Sequence, residues 1–195
     1  MRRPLDVVYF GQIRPKRGVE EFLELAEHSF QVLRPFNFLM VGTAPQKHAK
    51  YYQRLRDRTR ASVQWLTNLP LDDIAQILAS SLAAYLPFPD GASYRRGSML
   101  AALENGLPVI TREGAAMAPE LRDAVMLASG PGEALAILDR LYALPECTQG
   151  MVSHGRKLVQ AFSWEDIARR HADIYATMLV GRTAGPHAVG PASRA

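Results

Sequence analysis

The feature that most restricts this chain is an alternation. Short apolar, often β-branched runs occupy residues 5–10, 36–41, 63–66, 82–86, 107–110 and 125–128, the length and composition of strands. Between them lie helical patterns. Val19, Phe22, Leu23, Ala26 and Phe30 recur at spacings of three and four, as do Ile74, Ile77 and Leu78, so each stretch presents one apolar face. Strands alternating with such helices imply βαβ crossovers, and each crossover lays its helix over the sheet. The expected class is α/β, a parallel sheet with helices on both faces.

After Gly132 the pattern is wholly helical, through Ala134, Leu135, Leu138 and Leu141. A last helix carries Trp164, Ile167, Ala168, His171, Ile174, Tyr175 and Met178, and Ser163 with Asp166 has the spacing of a capping box opening it. One domain over residues 1–180 is expected. The aperiodic Gly, Pro, Ala, Ser and Arg of 181–195 read as a disordered tail.

The 195 residues, 48% hydrophobic and 22% charged, suffice for one core. No apolar run approaches the roughly 20 residues needed to span a bilayer, and no apolar signal region follows Met1, so the expected location is cytoplasmic. Cys147 is the single cysteine and makes no internal disulfide. His28, His48, His154 and His171 stand without carboxylate or thiol at ligand spacing, so no metal site is expected; His171 reads as packed or half-exposed. A net charge of +4 favours anionic partners. The arginine clusters at 14–17, 54–60 and 95–96 lack the aromatic interleaving of a nucleic-acid surface, leaving small phosphorylated ligands as the better fit. Arg54, Arg56, Arg58 and Arg60 around Asp57 read as a solvated helix face.

Ligands of an open parallel sheet bind at the carboxyl ends of its strands, which directs attention to the loops at 11–18, 42–45, 67–70, 87–97 and 111–114. Glycine lets backbone amides approach an anion, and arginine offers a planar fork to phosphate oxygens. Candidates in the first loop are Gly11, Arg14, Lys16 and Arg17, although Lys16 and Arg17 are equally placed to be solvated cations on a first helical turn. Thr67 and Asn68 belong to the third loop. The fourth is the most informative, with Asp90, Ser93, Arg95, Arg96, Gly97 and Ser98 leading into a helix. Two arginines there oppose the helix dipole, at roughly 0.3 to 1 kcal/mol each when exposed, and a bound anion reverses the sign. The alternative is that they point to water or pair with Asp90 and Glu104. No Gly-x-Gly-x-x-Gly follows the first strand, and no P-loop, Gly-x-Ser-x-Gly elbow or His-Glu-x-x-His helix is present.

Residues 9–18 and the following 20–26 resemble the strand, glycine turn, basic loop and helix that open the C-terminal domain of family 4 glycosyltransferases. Residues 38–42, 103–111 and 162–168, with His171 and Tyr175, match further landmarks in order, so the resemblance runs from Leu5 to Leu179. It implies one Rossmann-like half of a GT-B fold in a hexosyltransferase-type enzyme that transfers sugar from a nucleotide diphosphate donor with retention and without an essential metal. The donor is substrate, and no cofactor is implied. Arg14 and Arg17, with Lys16, are then expected to hold the diphosphate and act on the departing group, while Ser93, Gly97 and Ser98 offer contacts to the donor.

The chain departs from the family's pattern at three positions, the first being Gln12, where an arginine commonly follows the first glycine of the basic loop. Where the family has two glutamates with seven residues between them, this sequence has Ser93 and Ala101; Asp90 is a substitute at the sugar, and Glu104 at the ribose. The variant Asp-Gly-Ala-Ser-Tyr-Arg-Arg-Gly-Ser resembles a bacterial subgroup of the family. An acceptor-binding domain, on this or a separate chain, is the expected partner. Alternatives are a degenerate or truncated domain acting as a scaffold, and half of a sugar-nucleotide epimerase.

Overall fold

The computed structural model describes residues 5–162 and 164–183. Six strands, β1 (Asp6–Gln12), β2 (Asn37–Thr43), β3 (Val63–Thr67), β4 (Ala83–Leu86), β5 (Val109–Thr111) and β6 (Met126–Leu127), form one sheet in the order β3-β2-β1-β4-β5-β6. Every pairing is parallel, and helices lie on both sides. All six expected strands form. β1 and β2 run beyond their apolar runs because Gly11 pairs with Gly42 and Gln12 with Thr43, so backbone pairing continues where side-chain patterning has stopped.

The order matters more than the count. The chain builds outward from β1 to β3, returns to place β4 on the other flank of β1, and then builds outward again. Loops leaving β1 and β4 therefore diverge, and a crevice opens at their carboxyl ends.

Helix α1 (Val19–Gln31) follows β1 and buries Val19, Phe22, Leu23, Leu25, Ala26 and Ser29. Phe22 meets the rings of Tyr9 and Phe38, both at 5.7 Å between centroids, which seats α1 over β1 and β2. Phe30, expected on the buried face, is 59% exposed, since it lies in the last turn and no further turn closes over it. Helix α2 (Ala49–Arg58) buries Tyr51 and Leu55 and leaves Arg54, Arg56 and Arg58 exposed, the first two over the rings of Tyr51 and Tyr52. Helix α3 (Leu71–Ser80) buries only Leu78 fully, while Ile74 and Ile77 pack partly against the core. Helices α4 (Gly97–Glu104), α5 (Pro131–Ala143) and α6 (Gln149–Gln160) complete this unit, and the expected Ala134, Leu135, Leu138 and Leu141 are the buried face of α5.

From Gln160 the chain forms a second compact unit containing α7 (Trp164–Thr183). Within it His171 is exposed, its Nδ1 2.8 Å from the Ile167 carbonyl, so the packed alternative for this ring does not hold. The helix runs to Thr183 through Gly181, where disorder was expected to begin; one glycine in a helix costs only about 1 kcal/mol. Ser163 of the expected capping box and residues 184–195 of the expected tail lie outside the described residues. Among the described residues no helix is long and apolar enough to cross a membrane.

Candidate functional site

The floor of the crevice is bare backbone. Gly42 has φ +148°, and a Cβ there would lie 1.8 Å from the Gly11 carbonyl oxygen, so the ends of β1 and β2 close to a distance only glycine permits. Beneath them the buried Tyr9 hydroxyl donates toward the carbonyl oxygens of Gln12, at 3.3 Å, and Arg17, at 3.2 Å, folding the basic loop back over its own strand. Burial pushes this phenol well above its ordinary pKa, with the Arg17 guanidinium opposing the shift. The loop then enters α1 at Gly18, whose φ of +79° and closeness to Pro87, 2.2 Å from a hypothetical Cβ to the carbonyl oxygen, bring the loops after β1 and β4 into contact.

The facing wall comes from the loop after β4. Its backbone is pinned by Gly91 N–H to the Phe88 carbonyl at 3.0 Å, Ala116 N–H to the Asp90 carbonyl at 2.7 Å and Ala118 N–H to the Ala92 carbonyl at 3.0 Å. Arg96 lies over the Phe88 ring, 4.8 Å from its centroid, and pairs with Asp90; its side chain is only 13% exposed, against 54% for Asp90. Helix α4 begins immediately after it. No side chain caps that helix and no acidic residue lies in its first turn, so the amides of Gly97 and Ser98 have no acceptor within the helix, and both residues line the crevice.

Between floor and wall is a cavity of about 590 Å³. Arg17, Arg95 and Arg96 give it a cationic side, Gly97 and Ser98 the helix start, and Leu69, Leu71, Ile74 and Phe88 an apolar side. A smaller cavity of about 260 Å³ adjoins it through the same arginines and is lined also by Asp90 and Ser93. Burial and the neighbouring guanidinium groups of Arg14 and Arg96 hold Arg17 below its usual pKa, with Tyr9 and Asp90 opposing. Crowded cations of this kind are relieved by a bound anion. A third hollow, about 390 Å³ between α1 and α2, is lined by Glu20, Glu24 and Glu27 and is electrostatically wrong for the same ligand. Glu27 is there committed to the amides of Arg60 and Ala61.

Of the residues singled out in the sequence, Gly11, Arg17, Arg95, Arg96, Gly97 and Ser98 meet at the large cavity, and Asp90 and Ser93 at the small one. The others lie outside these walls. Arg14 donates from Nε to Gln12 Oε1 at 3.0 Å and acts on the site through its field on Arg17, while Lys16, with φ +61°, is exposed. Thr67 ends β3 and Asn68 follows it, its amide spent on the Gly42 carbonyl at 2.9 Å; the next residue, Leu69, lines the cavity. Glu104 is exposed at the far end of α4, about 10 Å along the axis from Gly97, and Ala101 lines the cavity instead. The pairing of Arg96 with Asp90 considered from sequence is present.

Sequence reasoning passed over Phe88 and Tyr9, whose only signal was their position near strand ends. It also passed over a clamp beside the crevice. Glu21 in the first turn of α1 accepts hydrogen bonds from the Tyr85 hydroxyl and from Arg112 Nη1, both at 2.6 Å. Tyr85 is wholly buried, and burial with its bond to Glu21 drives its pKa far up; the same carboxylate raises that of Arg112. Among the described residues, no group of three or more His, Cys, Asp or Glu is arranged to hold a metal ion.

The strand order and this cationic crevice define a Rossmann-like α/β domain with an anion-receptive mouth. Residues 4–144 match the family described as Glycosyl transferases group 1, and the chain belongs to that family. Among solved structures it is similar to a glycosyltransferase from Rickettsia africae (15% identity, TM-score 0.74, covering 92% of this chain and 48% of that one). It is also similar to Anabaena Alr3699/HepE in complex with UDP and glucose (17%, 0.71, 90% and 49%). A third likeness is to the C-terminal domain of the group 1 glycosyl transferase LpcC from Francisella tularensis (16%, 0.64, 82% and 87%). At these identities the likeness is one of fold, and the chain spans about half the length of the first two proteins. A search of curated proteins returned no match.

Proposed function

We propose that this chain is the donor-binding half of a glycosyltransferase and seats the diphosphate of a nucleotide sugar in the crevice between β1 and β4. One observation carries the reading: Arg17 and Arg96 converge with the uncapped start of α4 over a floor of bare backbone. Cationic forks, free amides and a helix dipole then act on one anion. The Anabaena protein of this fold was solved with UDP and glucose, which supports a nucleoside diphosphate as the occupant. As the glycosidic bond breaks, charge gathers on the departing diphosphate, and these preorganised groups stabilise it, with Arg14 adding its field from behind. Asp90 and Ser93 face the smaller cavity, where the sugar belongs, and the apolar side suits the flat, uncharged base.

The reading extends to retention of anomeric configuration, to turnover without an essential metal, and to an acceptor site on another domain or chain. Calorimetric titration with UDP-, GDP- and ADP-sugars tests its core. At least one binds in the micromolar range, and the absence of binding by all three at millimolar concentration ends the proposal. A second reading, a non-catalytic domain offering this sheet to a partner, draws on Ala101, which lines the cavity where the resemblance leads to a carboxylate. Consumption of bound donor separates the two.

A further inference from the structure

The pair formed by Arg96 and Asp90 is asymmetric in a way that bears on how the site fills and empties. Arg96 is held: its side chain is 13% exposed, its guanidinium lies 4.8 Å from the centre of the buried Phe88 ring, and its own amide donates to the Ser93 carbonyl at 2.9 Å. Apart from its pairing with Arg96, Asp90 is held by its backbone, through the Ala116 amide at 2.7 Å and the tight packing of Gly91 against Gly114, while its side chain is 54% exposed. A largely desolvated guanidinium needs a counter-charge, and two further arginines, Arg17 and Arg95, line the adjoining cavity with it. The carboxylate is therefore the exchangeable member. Asp90 also lines, with Ser93 and Arg96, the adjoining cavity, so open space lies beside the pair for the carboxylate to turn into.

We infer that Asp90 is an internal stand-in for the ligand's phosphate: it occupies Arg96 when the site is empty, is displaced when a diphosphate enters, and returns to hasten that diphosphate's release. The inference rests on the reading of the crevice as a diphosphate site. A free nucleoside diphosphate carries one more ionised phosphate group than its monophosphate and so displaces the carboxylate where the monophosphate competes less well, and Asp90 thereby also sharpens selection for the diphosphate.

The test uses the full chain and ligands lacking a sugar, so that any contact of Asp90 to sugar drops out: UDP, GDP, ADP, their monophosphates and inorganic pyrophosphate. Asp90→Asn is expected to tighten diphosphate binding about tenfold, mainly through slower dissociation in stopped-flow displacement, and to narrow the preference for diphosphate over monophosphate. In the background of Arg96→Ala the same substitution is expected to change nothing, because the two act through one contact. Weaker or unchanged binding by Asp90→Asn overturns the inference, since Asp90 then serves only to orient Arg96. An equal gain in the Arg96→Ala background overturns it also, by assigning the effect to net charge. If neither the parent chain nor Asp90→Asn binds any diphosphate or pyrophosphate, the proposed function falls, and the inference with it; binding by the parent with no gain on substitution removes the inference alone.

Discussion

Two arginine–carboxylate pairs stand near the same edge of the sheet and are built in opposite senses. In the pair of Arg112 with Glu21 the carboxylate is the enclosed partner, 15% exposed and held by a second donor, the buried Tyr85 hydroxyl, while the guanidinium is 40% exposed. In the pair of Arg96 with Asp90 the guanidinium is enclosed and the carboxylate open. A carboxylate with two donors, one of them buried, has nowhere better to go, so the first pair fastens the opening turn of α1 to the ends of β4 and β5. An enclosed cation facing an open anion is, on the function proposed above, a place kept for a different anion. Position along the sheet does not separate a fastening from a binding site; which partner is enclosed does.

The contrast can be broken by substitution, most severely at the fastening. Glu21→Ala strands the buried Tyr85 hydroxyl and removes the counter-charge of Arg112, and is expected to lower unfolding free energy in urea by about 3 kcal/mol. An unaltered denaturation midpoint would show that the two pairs do not differ in kind. Arg96→Ala should do the reverse, leaving stability nearly unchanged while weakening diphosphate affinity by about 2 kcal/mol, or roughly 30-fold, by calorimetry. Arg17→Ala should have a similar effect on affinity.

Tyr85→Phe is smaller, about 1 kcal/mol of stability at neutral pH, and it carries a sign in pH. The folded chain holds the Tyr85 proton more tightly than the unfolded chain does, so the stabilisation is complete below the ordinary tyrosine pKa of about 10 and is lost as pH rises beyond it. Unfolding followed between pH 8 and 11 should therefore show a shallower alkaline decline for Tyr85→Phe than for the parent chain; parallel curves would place the alkaline sensitivity elsewhere. The smallest expected effect is that of Arg95→Ala. That side chain is exposed, and its loss should change affinity by no more than about 0.5 kcal/mol.

The sheet was legible because its inner strands are buried on both faces: Ala83 to Leu86 is apolar throughout, a pattern that needs no partner to be read. The location of the candidate crevice was legible for a related reason, since parallel topology opens its loops at the same strand ends. What escaped is direction. Arg14, Lys16 and Arg17 are near neighbours in one loop, and which of them turns inward depends on the left-handed backbone at Lys16 and on the Tyr9 phenol gripping the Arg17 carbonyl, neither of which leaves a periodic trace. Glu104 follows Ala101 by three residues and shares its helix face, yet one further turn carries it away from the cavity that Ala101 borders. The fastening was out of reach altogether, because 91 residues separate Glu21 from Arg112 and neither belongs to a recognisable motif.

The contact of Gly42 with Gly11 sets a boundary on how this crevice can evolve. With 1.8 Å between a new Cβ and a carbonyl oxygen, any side chain at Gly42 pushes the central strands apart, so the floor is closed to variation. If the crevice is the donor site proposed above, new preferences can arise only from the sides, at positions such as Leu69, Leu71, Ile74 and Ala101 that border the cavity without belonging to a strand. A library randomised at those four positions and silent at the glycines samples the accessible specificities of the site at little cost in folded protein.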